Sequence, residues 1–191
     1  MGRMESDVGG NTLAGLLRRV MDLVKSGAVA KPEFYNAERL KADFGAGTAK
    51  VFSYDNFTKT LMADVQEFPV DSNLRPADAA ALAGAAVRFH LDLTKQGDSL
   101  KGMAEGEASA RLDLGYKDHS IKRKQVECVV GQPLRSSRIF FTPRNGDTVP
   151  SVAAYDLEQV VGVNRFYCAA DFRRDGGNLI VAIFGWRLDH G

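Results

Sequence analysis

Basic and aromatic residues are the chemistry-bearing groups that this sequence gathers most tightly. Between Lys117 and Arg144 stand Lys117, Lys122, Arg123, Lys124, Arg135, Arg138 and Arg144 against only Asp118 and Glu127, a formal +5, with Phe140 and Phe141 in the same segment. Lysine and arginine neutralise phosphates and an aromatic ring stacks on a base, so these residue types on one β-ribbon would bind nucleic acid. They have a second use. Outward lysine and arginine also keep a sheet edge from pairing with another chain. The whole chain carries a formal charge of only +1 at pH 7, so a polyanionic partner would have to be drawn by a local patch.

Arg165, Tyr167, Phe184 and Trp186 form a second candidate group, an aromatic corner with cation–π character suited to a protein partner. The alternative for that corner is a helix packed over it, the usual cover for the second face of a mixed sheet.

Catalytic chemistry finds little in the sequence. H-E-x-x-H, C-x-x-C and G-x-S-x-G do not occur, and His90, His119 and His190 are far apart. His90 has no His, Asp or Glu on its apolar side at helical spacing, and His119 falls in a turn. Gly45-Ala46-Gly47-Thr48-Ala49-Lys50 has a lysine where a dinucleotide loop needs its third glycine, and it follows a helix rather than a strand, so it reads as a turn. No catalytic residue, metal ligand or cofactor is expected. Cys128 and Cys168 are expected as free thiols at inward strand positions.

The elements that must position these groups begin with a β-hairpin near the C-terminus, with arms 163–172 and 179–186 and a turn around Asp175-Gly176-Gly177. A two-residue loop pairs even positions of the first arm with odd positions of the second. One face would then carry Phe166, Cys168, Ala170 and Phe172 with Leu179, Val181 and Ile183, and the other Arg165, Tyr167 and Asp171 with Phe184 and Trp186.

Upstream, Leu13, Leu16, Leu17, Val20, Leu23 and Val24 recur at three and four residue spacing after Asn11 and Thr12, and Gly27 ends the helix they define. A second helix follows Pro32, a third has Phe57, Leu61, Val65 and Phe68 on one face, and the longest runs from Ala77 to about Lys95. From Glu107 to Tyr116 apolar and polar residues alternate as in a half-buried strand; further strands are expected over 124–130 and 138–142, and a short strand or helix over 157–161.

The expected architecture is therefore α+β: a tail at 1–11, then one domain with about four helices over 12–104 packed on a C-terminal antiparallel sheet of about five strands over 105–191. No apolar run reaches the roughly 20 residues that span a bilayer, and the N-terminus lacks the apolar core of a signal peptide. The expected location is the cytoplasm, or a virion if the chain is viral, with no membrane partner. The leading functional expectation is a non-catalytic interaction or assembly subunit whose partner is another copy of itself. The alternative is a nucleic-acid-binding module using the 117–144 ribbon; the second alternative is a small enzyme without a recognisable motif.

Overall fold

Eight strands form one antiparallel sheet in the order β1-β2-β3-β4-β8-β7-β6-β5. They are β1 Thr48–Tyr54, β2 Thr60–Gln66, β3 Ala86–Asp92, β4 Glu107–Asp113, β5 Arg135–Ser136, β6 Val152–Val161, β7 Asn164–Arg173 and β8 Leu179–Leu188. Four α-helices, α1 Leu13–Lys25, α2 Ala37–Phe44, α3 Pro76–Ala83 and α4 Arg123–Val130, accompany them among the described residues. The computed structural model describes residues 11–54, 60–93, 107–137, 152–162 and 164–188.

This arrangement overturns the helical N-terminal half. Three strands, β1 to β3, lie within 12–104, and the sheet has eight strands where about five were expected. The expected third helix is strand β2 and the expected long helix stops at Ala83. Gly84 interrupts it, and Val87, Phe89 and Leu91 are then buried in strict alternation with Arg88 and His90. The expected strand over 124–130 is instead helix α4, in which Val126 and Val130, four apart, are buried while Cys128 is exposed. The Gln125 side chain accepts from the Lys122 N–H at 3.0 Å to open α4, and Gly131 at φ 86° closes it. The strand expected over 138–142 and all of the expected 1–11 tail except Asn11 lie outside the described residues.

Helices α1 and α2 pack directly on one face of the sheet, and α3 and α4 pack against α1. Thr12 caps α1 by accepting from the Gly15 N–H at 3.0 Å, and Leu17, Val20, Met21 and Val24 are fully buried against β4 and β8. Helix α2 lies on β1 and β2, where Phe44 meets Phe68 and Phe89 at centroid distances of 5.9 Å. No helix among the described residues is long and apolar enough to cross a membrane.

The C-terminal hairpin forms, but its register differs from the expected one. Cys168 faces Phe184 and Phe166 faces Trp186, so even positions pair with even. Next to the turn the expected pairing holds: Phe172 faces Leu179 across a connection, Arg174 to Asn178, in which Gly176 and Gly177 stand at φ 80° and 69°. Ile180, an extra residue between Phe172↔Leu179 and Asp171↔Val181, shifts every pair beyond it. That bulge transfers Ala182, Phe184 and Trp186 to the buried face.

The opposite face of the sheet has no helix over it among the described residues and is largely polar, as a solvated antiparallel face should be. Across it Arg88 holds Asp64 with two hydrogen bonds, 2.6 and 3.1 Å, and Arg111 pairs with Asp113 at 3.2 Å. Tyr167 lies over Gly185, where an added Cβ would stand 2.7 Å from the ring. The Arg187 guanidinium sits 5.3 Å from the Tyr167 centroid, and Glu158 pairs with both Arg165 and Arg187.

Candidate functional site: a basic concavity beside helix α4

The segment from Ile121 to Arg123 crosses beside the turn between β7 and β8, and side-chain and main-chain bonds pin the two together. Leu179 N–H donates to the Ile121 carbonyl at 2.9 Å, and Lys122 Nζ donates to Asn178 Oδ1 at 3.1 Å and to the Gly176 carbonyl. His119, 4% exposed, completes the join: its Nε2 bonds the Leu179 carbonyl at 2.8 Å while Nδ1 accepts from the Ile121 N–H at 3.2 Å. That pattern requires the neutral Nε2–H tautomer, and burial pushes the imidazole pKa below its ordinary value. Asp78 of α3 ties in the same loop by accepting from the Ser120 N–H at 2.7 Å. Both ring nitrogens of His119 are thus committed to main chain.

This join brings the first turn of α4 against β6 and the end of β7. Between them lies a concavity of about 470 Å³ lined by Lys122, Arg123, Lys124, Arg173 and Arg174, with Tyr155 and Phe172 as its aromatic wall. Tyr155 and Phe172 meet edge to face at 5.7 Å, and the Arg123 guanidinium stands 4.9 Å from the Tyr155 centroid. Among the described residues no carboxylate lines the opening, although three lie beside the cations. Arg123 is 3.3 Å from Glu127, and Arg173 is 3.0 Å from Asp118 and 2.6 Å from Asp175. The hydrogen bond between Arg173 and Asp175 raises the first pKa and lowers the second. Arg174 donates from Nε to the Val152 carbonyl at 3.0 Å. Four of the five cations are therefore held in place by named partners, and they leave a modest positive balance of five cations over three carboxylates.

Of the basic residues singled out in the sequence, Lys122, Arg123 and Lys124 are brought together here, on a loop and helix rather than on a β-ribbon. Lys117 lies instead over Gly84 at the end of α3, and Arg135 belongs to β5 at the sheet edge. Arg138, Phe140 and Arg144 fall outside the described residues. Tyr155, Phe172, Arg173 and Arg174 complete the site from segments that the charge count over 117–144 does not reach. The adjacent arginines at a glycine turn were the available signal.

The aromatic corner does not form as one surface. Arg165 and Tyr167 point to the helix-free face, while Phe184 is fully buried and Trp186 is 7% exposed on the other. The one-residue bulge at Ile180 separates the two pairs, and a helix, α1, covers the second. His90 sits on the helix-free face between Met62 and Ser109 of the flanking strands. His190 lies outside the described residues. Among the described residues no three His, Cys, Asp or Glu side chains are grouped to hold a metal ion. Comparison of the chain with protein-family models, curated proteins and solved structures finds no match.

Proposed function

We propose that the protein is a non-catalytic binding protein that grips the phosphate backbone of a nucleic acid at the concavity between α4 and the β6–β7 edge. One observation carries the reading: five lysine and arginine side chains and two aromatic rings converge on one opening with no carboxylate in its lining among the described residues. Partners behind the cations hold them in fixed positions, which reduces the ordering cost of meeting a ligand. The same partners offset part of the charge, so sequence-independent affinity in the range of about 10⁻⁴ to 10⁻⁶ M at physiological salt is the expectation.

The test is fluorescence anisotropy with a labelled single-stranded oligonucleotide. Lys124→Glu combined with Arg174→Glu changes two exposed residues outside the His119 join and should weaken binding about tenfold or more. Unchanged affinity in that variant contradicts the reading.

Self-assembly is the second reading, favoured by the helix-free sheet face. Seven strands about 4.8 Å apart and about seven residues long present roughly 800 Å², one partner's share of a standard interface. Phe52 and Val160 are exposed at its two ends. The Arg88–Asp64 and Arg111–Asp113 pairs in its middle would have to be buried, which places this reading second. Light scattering across a dilution series tests it, and a monomer at all concentrations contradicts it.

A further inference from the structure

The concavity contains a feature that phosphate binding alone does not use. Arg123 lays its guanidinium 4.9 Å from the Tyr155 ring centroid, Glu127 holds one edge of it at 3.3 Å, and 47% of the side chain remains exposed. Phe172 in turn supports Tyr155 at 5.7 Å with the rings 77° apart. A planar cation held against an aromatic ring and still partly exposed at the cavity can present a face to another π-system. Lys124 and Arg174 line the same opening and supply charge for the flanking backbone.

We infer that the ligand of this site is single-stranded nucleic acid, with one base stacked on the outer face of the Arg123 guanidinium and Tyr155 acting as the platform beneath. The inference rests on the nucleic-acid reading above and adds the identity of the strand and of the reading group. A base inside a duplex keeps both faces covered by its neighbours, so only an unpaired base can take this position. Recognition is by the π-face, and little preference among base identities is expected.

Two probes of equal length and charge separate stacking from charge: oligothymidylate and the same sugar–phosphate backbone without bases, each titrated against the full chain. The wild-type protein should bind oligothymidylate at least about fivefold tighter than the abasic strand. Arg123→Lys keeps the charge and loses the plane; whatever it does to overall affinity, it should bring the ratio of oligothymidylate to abasic affinity close to one. Equal affinity of the wild type for the two probes, or a preference that survives in Arg123→Lys, overturns the stacking inference and leaves backbone binding standing. Failure of both probes to bind overturns the nucleic-acid reading together with this one. The wild-type comparison needs no variant, so it stands even if Arg123→Lys is poorly folded.

Discussion

Trp186 donates its indole N–H to the main-chain carbonyl of Val24, 162 residues earlier in the chain, at 2.6 Å. The bond joins the C-terminal strand of the sheet centre to the last turn of the first helix, and Trp186 also meets Phe166 at 5.3 Å. The Val24 carbonyl has a second donor, the Gly27 N–H at 3.0 Å, so losing the indole would not leave it unpaired. Trp186→Phe should therefore cost about 1–3 kcal/mol, from one hydrogen bond and the unfilled volume, read as a shift in the midpoint of urea unfolding. A shift near zero would mean that α1 does not close over β8 as described.

His119 makes stability depend on pH in a definite sense. Burial lowers its folded pKa below the ordinary 6.5, with Asp78 and Asp118 pulling up and Lys122 pushing down. Above 6.5 the imidazole is neutral in both folded and unfolded chains, and it contributes no pH dependence. As pH falls below that value the unfolded chain binds the proton first, so stability is progressively lost until the folded pKa is passed. Asp171, whose carboxyl pKa is raised by burial, acts in the opposite sense, its contribution to stability growing as pH falls. Urea midpoints measured between pH 7 and 5 should fall in the wild type, and His119→Gln should flatten that slope while lowering stability throughout. A slope unchanged by the substitution would contradict the neutral, main-chain-bonded ring.

The two cysteines should differ sharply in reactivity. Cys128 is exposed on α4, whereas Cys168 is buried in β7 and its thiol is pushed up to about 12. A disulfide-exchange reagent should titrate one thiol per chain in the native protein at pH 8 and both in denaturant. Two rapidly reacting thiols would contradict the buried position of Cys168, and none would contradict the helical placement of Cys128.

How far the sequence discloses the fold depends on whether a segment's apolar spacing satisfies one period or two. Helix α1 has six apolar positions that fit only a helix, and β4 has Ala108, Ala110 and Leu112 in an alternation that fits only a strand; both form as read. Leu61 and Val65 are four apart, a spacing that places them on one side of a helix and also of a strand, and pairing with β1 and β3 decides for the strand. Val126 and Val130 present the same ambiguity and resolve the other way, because Gln125 and Gly131 cap a helix. The hairpin was legible from its glycines, but a single extra residue, Ile180, reversed the facing of Phe184 and Trp186.

The candidate site was legible only at Lys122, Arg123 and Lys124, which adjoin in sequence. Tyr155, Phe172, Arg173 and Arg174 reach them through strand pairing between β6 and β7 and through the join at His119, and local spacing does not encode such contacts. A buried histidine bonded only to main chain has no sequence signature either.

Salt dependence of single-stranded oligonucleotide binding tests the central claim most directly. If three to five of the lining cations meet phosphates, log K should fall linearly with log salt, with a slope of about −2 to −3.5. The Lys124→Glu, Arg174→Glu variant should show a slope smaller in magnitude by about 1.4. Absence of measurable binding at 50 mM salt, or affinity indifferent to salt, would contradict the basic concavity as a phosphate-binding site.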